Sequence, residues 1–386
     1  MRRSICTYLI IFCSWSIVAG QAAISGIVLD STNRQPIPFA TVYFDGTTNG
    51  QTTDEAGQFT LSPAGMELPA ILVVSHISYA PLSLLISEHK DRKIELILSP
   101  SSQTINTVTV QDRDRRQENL EEFRRLFLGV DEWGRRSRIK NEEALVFNRD
   151  YRRERLDVRN AYMKRMLARS QQVEAEWAAD SSYLHYDKVI NFQTTATAPL
   201  IIELPDLGYT LQLDLVRFQI DYEQGRSGSL GYYFFQPYEG FSGKPRARHR
   251  RNRQSAYYHS PQHFLRALFT GKLPDNGYRL MEQSEGNTGN LTDFDPTPFL
   301  HQTGADQMRI KGLRGRKLII LYYGNGKGEP LPPARWKRAQ PLQSGLFIGA
   351  DECLIRADGT MGDSELFFSG SLGGHGVAWS LPSNYE

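Results

Sequence analysis

The segments Ser25-Gly26-Ile27-Val28-Leu29-Asp30, Pro36-Ile37-Pro38-Phe39-Ala40-Thr41-Val42 and Thr53-Asp54-Glu55-Ala56-Gly57-Gln58-Phe59 decide how the first hundred residues read. In the first, Ile24, Gly26 and Val28 alternate with Ser25, Ile27 and Leu29, the two-residue period of a strand. From Phe39 to Phe44, Ala40, Val42 and Phe44 share one face. The third segment predicts a hairpin turn: Asp54 bonds its own backbone, and Gly57 takes a positive φ without steric cost. Asp45-Gly46 and Asn49-Gly50 are further turn dipeptides. Ile71 to Val74 suits a buried strand, and Ile94, Leu96 and Leu98 alternate again. No helical period interrupts these residues. The spacing predicts a two-sheet β-sandwich over 22–100.

Upstream, Arg2 and Arg3 precede a mostly apolar run from Tyr8 to Val18, and Val18, Ala19 and Gly20 stand before Gln21. This predicts a secretory signal peptide over 1–20, too short to span a membrane. Its removal takes Cys6 and Cys13 and leaves Cys353 alone, so no intramolecular disulfide is expected. The exported chain must then rest on apolar cores. Hydrophobic residues at 40%, with 18 Tyr and 19 Phe, supply them and exclude a disordered or fibrous chain. A formal charge of +2 over 386 residues gives no global argument for nucleic acid or for a membrane surface. No later run reaches the roughly 18 apolar residues of a spanning helix.

Ser99-Pro100-Ser101-Ser102 leads into a linker over 101–116. Residues 117–386 predict a β-rich α+β domain, so the fold class is mostly β. Leu120, Phe123, Leu126 and Phe127 fall at helical spacing before Gly129, and Pro261 to Leu268 reads as a second helix. Strands are expected over 199–204, 208–220, 230–235 and 318–323, and final hairpins over 345–357 and 366–369, with Asp358-Gly359 as a turn. Leu156, Met163, Met166, Val173 and Trp177 match one stripe of a long helix over Glu154 to Ala179, inside a helical insertion of about 150–187.

The three N-terminal segments, in that order and spacing, resemble the carboxypeptidase-regulatory-like domain. The resemblance implies a transthyretin-like sandwich that serves as an accessory module. A second set follows: Phe123-Arg124-Arg125-Leu126-Phe127-Leu128-Gly129, Ile139 to Leu145, Ala198 to Glu203, Leu207-Gly208-Tyr209, Ala256-Tyr257-Tyr258-His259-Ser260, His263 to Leu268, and Leu381 to Tyr385. Together they look like the exported carboxypeptidase-like regulatory-domain proteins of Bacteroidota, in which Gly is usual where His259 stands. The same module precedes the plug of TonB-dependent receptors, and Thr104 to Val110 resembles the strand that follows it there, but the residues after Val110 are too few for a barrel of about 22 strands. The resemblance implies a cell-envelope location and, by itself, no reaction.

Motifs for chemistry are sparse. No His-x-x-Glu or His-Glu-x-x-His pair suits a zinc carboxypeptidase, and no Gly-x-Ser-x-Gly suits a serine hydrolase. Cys353, in Glu352-Cys353-Leu354-Ile355, is expected buried. Gly324-Asn325-Gly326-Lys327-Gly328 lacks P-loop spacing and reads as a turn. His259 and His263 are four apart, but Pro261 starts a helix between them; no metal or other cofactor is expected, and His263 is expected to orient or cap a neighbouring strand. Asp293 with Asp295, and Asp363 with Glu365, are acid pairs a glycosidase would need. The most uneven charge runs from Lys244 to Arg253. Its Arg246, Arg248, Arg250 and Arg251, together with His263, are the candidate binding residues. The arginines suit lipopolysaccharide phosphates or an acidic glycan, against the plainer reading of a solvated loop or edge strand.

These observations lead to a non-enzymatic binding or scaffolding protein, periplasmic or outer-membrane-associated. Its expected partners are an envelope protein complex, a glycan or an anionic lipid, and not nucleic acid. The alternatives are a hydrolase of cell-wall or glycan substrate, and an anionic-lipid binder acting through 244–253.

Overall fold

The computed structural model describes residues 23–385 except 64–65, 67, 89–91, 102–114, 158–159, 169–174, 178–182, 224, 241–242, 284–289 and 362–365. The signal sequence and the strand expected at 104–110 lie outside the described residues. The N-terminal strands are β1 (Ile24–Asp30), β2 (Thr41–Phe44), β3 (Gly50–Thr52), β4 (Gln58–Leu61), β5 (Ala70–His76), β6 (Tyr79–Ile86) and β7 (Arg92–Leu98). They form two sheets, β4-β1-β7 and β3-β2-β5-β6, closed over Val28, Val42, Phe44, Phe59, Val74 and Leu96. The expected hairpin turn is present: Asp54 Oδ1 accepts the N–H groups of Ala56 at 3.0 Å and Gln58 at 2.8 Å, and Gly57 has φ +71°.

A central sheet follows. Its elements are α1 (Arg116–Phe123), α2 (Glu132–Arg136), β8 (Arg138–Ile139), β9 (Leu145–Asp157), α3 (Ala161–Ala168), β10 (Ala175–Trp177), β11 (Tyr183–Ala196), β12 (Leu200–Leu204), β13 (Tyr209–Asp221) and β14 (Arg226–Pro237). The order is β10-β11-β13-β12-β8, with β9 also paired to β11 and β14 to β13. Helix α1 continues into a π-helical turn, Arg124–Leu128, which ends at Gly129 with φ +120°. Phe123, Phe127, Phe147, Phe192 and Phe218 form the aromatic centre of this core.

The long helix expected over Glu154 to Ala179 is not formed. Residues 154–157 finish β9, and among the described residues of this stretch only Ala161–Ala168 is helical, while Ala175–Trp177 is a strand. Cross-strand pairing explains the difference. Strand β9 runs antiparallel to β11 along nearly its whole length. Glu154 accepts from Tyr186 at 2.7 Å and pairs with Lys188 at 3.4 Å, while Arg155 lies over the Tyr183 ring at 3.9 Å. Such pairs between facing strands stabilise a ladder that no local period announces. Met163 and Met166, placed on that expected stripe, are 45% and 54% exposed.

The third portion contains α4 (Lys244–Tyr257), α5 (Pro261–Phe269), β15 (Tyr278–Gln283), β16 (Leu291–Asp293), β17 (Leu300–Gln302), β18 (Gln307–Lys311), β19 (Leu318–Tyr322), β20 (Leu342–Ile348), β21 (Glu352–Arg356) and β22 (Leu366–Gly370). Sheets β16-β15-β19-β20-β22 and β17-β18-β21 share one core with α5, built around Phe264, Tyr278, Ile310, Ile320 and Ile355. Cys353 lies fully buried in that core, on β21. The C-terminal tail then returns to the central core through Val377, Trp379 and Leu381. The described residues of 117–386 therefore form two separate apolar cores.

The sandwich is docked on the central sheet through buried polar groups. Tyr43 Oη donates to Asp214 at 2.7 Å, and Ser75 Oγ donates to the other carboxylate oxygen at 2.6 Å. The Tyr43 and Phe234 rings stack at 5.0 Å. Main-chain bonds extend the contact: Gly46 N–H to Tyr233 O at 2.7 Å and Phe235 N–H to Thr47 O at 2.9 Å. The tail closes it, with Ser383 N–H on Gly46 O at 2.7 Å and Asn384 bonded reciprocally to Thr48.

Candidate functional site

The basic run forms helix α4, not a loop or an edge strand. Pro245 sits in the first turn, where its missing N–H costs nothing, and Arg, Ala and Gln are good helix formers. One face is bound to the central sheet. Asn252 Nδ2 donates to Asp206 O at 2.8 Å, Arg253 Nε donates to Leu207 O at 2.7 Å, and the Arg253 guanidinium lies over the Tyr209 ring at 3.9 Å. His249 is buried against Gly208, which has φ +70°; a Cβ there would stand 2.4 Å from the imidazole. Only glycine satisfies both the turn and this close approach. Burial, then the charges of Arg248 and Arg253, hold the His249 pKa below its ordinary value.

The other faces are cationic and exposed. Lys244, Arg246, Arg250 and Arg251 line an open groove of about 1300 Å³ together with Tyr238. Arg246 and Arg250 are one helical turn apart and share a face. Arg248 is exposed but is not part of the groove wall. Among the described residues, no carboxylate ion-pairs with any of these five side chains. Elsewhere arginines are commonly matched: Arg136 with Asp206 at 2.7 Å, Arg309 with Glu352 at 2.8 Å, Arg316 with Glu282 at 3.0 Å. Five unmatched cations within eight residues give a field that attracts anions. Lys244 and Tyr238 were not among the sequence candidates. The Pro245 start signal was available to place Lys244 on the helix; nothing local placed Tyr238 beside it.

His263 lies away from this groove. It is 2% exposed and occupied by the protein itself. Its Nδ1 accepts the His259 N–H at 3.3 Å and the Tyr278 hydroxyl at 3.0 Å, which leaves Nε2–H to donate to Asn276 Oδ1 at 3.2 Å. Tyr278 opens β15, so this imidazole joins α5 to a neighbouring strand. Burial lowers the pKa of both His259 and His263 to about 4.

His259 Nε2 lies 2.8 Å from Ser371 Oγ, the separation of a base and a nucleophile. The rest of such a site is not assembled around it. His259 is 6% exposed, its Nδ1 has no hydrogen-bond partner among the described residues, and Ser371 Oγ also bonds Gln343 O and Ser344 Oγ at 3.0 Å each. His259 has φ +58°, a left-handed backbone that accounts for glycine being usual in the proteins it resembles. Asp293 is clamped by Arg279, at 2.5 and 2.6 Å, and Asp295 caps Thr297 N–H at 3.0 Å; Asp363 and Glu365 lie outside the described residues. Among the described residues no group of three or more His, Cys, Asp and Glu is placed to hold a metal ion. No described helix is long and apolar enough to cross a membrane.

Residues 24–110 match the CarboxypepD_reg-like domain family. The N-terminal sandwich is therefore a carboxypeptidase-regulatory-like domain, and the remainder of the chain lies beyond that match. No curated protein matches the chain. Among solved structures, similarity extends to a type II cohesin–X-dockerin complex from Acetivibrio cellulolyticus, at 18% identity, 22% of this chain, 62% of that chain and TM-score 0.19. A provisionally membrane-associated protein of unknown function from Bacteroides fragilis matches at 11% identity, over 56% of this chain and 95% of its own, with TM-score 0.18. A protein from Bacteroides uniformis, provisionally assigned as carbohydrate binding, matches at 8% identity, over 56% and 96%, also with TM-score 0.18. These TM-scores are too low to bear on this chain's architecture or function.

Proposed function

We propose that the protein is a non-enzymatic binding module of the cell envelope, and that the cationic groove of α4 is its ligand surface. The carrying observation is the set of five cations on one helix with no described carboxylate partner. The secretory signal read at 1–20 and the accessory domain at the N-terminus support an exported, non-catalytic role. The ligand class that fits is a polyanion of the envelope, bearing repeated phosphate or carboxylate groups. Arginine forks pair with either group in two-pronged geometry, and Tyr238 offers a ring beside them.

Exposed cations act through a screened field, so binding must weaken with ionic strength. The test is titration of the chain lacking 1–20 with purified lipopolysaccharide and with a carboxylated glycan, at about 50 and about 200 mM salt, where the screening length falls toward 7–8 Å. Affinity that drops steeply between the two conditions is expected for one of these ligands. Salt-independent binding, or none, would reject the reading.

A further inference from the structure

A second cavity, of about 410 Å³, opens between β14, the start of α5 and the C-terminal tail. Tyr233 and Phe235 come from β14, Leu265 from α5, and Leu372, Trp379 and Leu381 from the chain after β22. It shares no lining residue with the α4 groove.

The tail side of the cavity is held rigidly. Trp379 Nε1 donates to Asp131, the residue that caps α2. The rings of Trp133 and His375 stack on Trp379, with centroids 3.9 and 4.2 Å away. Two rings that close lie on opposite faces of the indole, so only its edge is left to meet an occupant. A wall formed in advance lowers the ordering cost of binding.

The chemistry of the wall is one-sided. Among the described residues no Asp, Glu, Lys or Arg lines it, in contrast to the α4 groove. His375 is the one imidazole among these lining residues, and burial holds its pKa below the ordinary value, so it is neutral at neutral pH. Most polar groups of the wall already serve the fold. Ser260 Oγ accepts the His263 N–H at 3.1 Å, Gln262 Nε2 donates to Asp358 O at 3.2 Å and Ser383 O at 3.3 Å, and Thr360 Oγ1 donates to Asp358 at 2.7 Å. His375 and Ser380 remain to meet a ligand's polar end. A sugar would bring more hydroxyl groups than these can pair, and it would find no indole face to stack on. Small-molecule sites of about 300–1,000 Å³ are mostly apolar with a few placed polar groups, which is the composition of this wall.

We propose that this cavity binds a neutral, mostly apolar small molecule whose single hydrogen-bonding group is received by His375 or Ser380. The absence of charge from the described wall selects against a carboxylate or phosphate head, because a charge buried there would be unpaired. The site is thus complementary in kind to the α4 groove, which takes anions.

The test uses the chain lacking 1–20 at neutral pH and the uncharged probe N-phenyl-1-naphthylamine, which fluoresces in apolar surroundings. Saturable binding is expected, with displacement by decanol and little displacement by decanoate, which has the same chain length and a charged head. Ser380→Trp puts a ring into the cavity and should weaken binding by at least about tenfold. Met361→Trp, at the mouth, replaces it if that variant does not keep the parent circular-dichroism spectrum. Met163→Ser with Met166→Ser, on the exposed surface of α3, controls for non-specific adherence and should leave binding unchanged. The proposal is overturned by no saturable binding, by decanoate displacing the probe as well as decanol, by undiminished binding in the folded tryptophan variant, or by loss of binding in the α3 control.

Discussion

Replacing Asp214 with alanine is expected to destabilise the chain by about 2–5 kcal/mol, because it strands two buried hydroxyl groups at roughly 1–3 kcal/mol each. Tyr43 and Ser75 come from two strands of the sandwich and both donate to this one carboxylate. Gln212 adds a third link, with Nε2 on Ser75 Oγ at 3.2 Å. Tyr43, Ser75 and Asp214 are all buried. Asp214→Asn keeps an acceptor and should cost less. The pH dependence has a definite sign. Burial raises the Asp214 pKa, and raises Asp45 beside it to about 6. A carboxyl whose folded pKa exceeds its unfolded value contributes most below the unfolded value, and loses that contribution as pH rises through the folded one. The parent-minus-alanine difference should therefore narrow from pH 4 toward pH 7. Urea unfolding followed by tryptophan fluorescence measures both effects. A loss under about 1 kcal/mol at either pH would show that the carboxylate does not hold the junction.

Changing Arg246, Arg248, Arg250 and Arg251 together to glutamine is expected to lower polyanion affinity by roughly 30- to 1000-fold at low salt. The figure follows from about 0.5–1 kcal/mol for each exposed cation. Stability should change little, because none of the four anchors the helix; Asn252, Arg253 and His249 do. The same titration run on Arg253→Gln separates the roles. That variant should lose stability, since its guanidinium holds the Leu207 and Gly208 carbonyls. Equal losses of affinity and of stability in the four-glutamine chain would mean that these arginines serve the fold.

The sequence carried the sandwich well. Its strands alternate, and Asp54 and Gly57 do at the turn what their chemistry dictates. Alternation alone could not show that the outward Tyr43 is fully buried, because the cover is Phe234, nearly two hundred residues away. The β9–β11 ladder was hidden for a related reason. Its charges are matched across strands, at Arg153 with Asp187 and Lys188 with Glu154, so no single segment carries the pattern. Apolar spacing in 156–177 then imitated a helix. The basic run was visible as charge; its helical form rested on Pro245, a weaker signal than the six cations around it.

The central claim, that α4 holds this protein to a polyanion of the envelope, is tested most directly in cells. The full chain and its four-glutamine form are produced side by side, the cells are fractionated, and the envelope fraction is washed with about 0.5 M salt, which shortens the screening length to roughly 4 Å. The account predicts that the parent stays with envelopes and is released by the wash, while the variant is recovered in the soluble periplasmic fraction. Identical distribution and identical salt release of the two chains would contradict it.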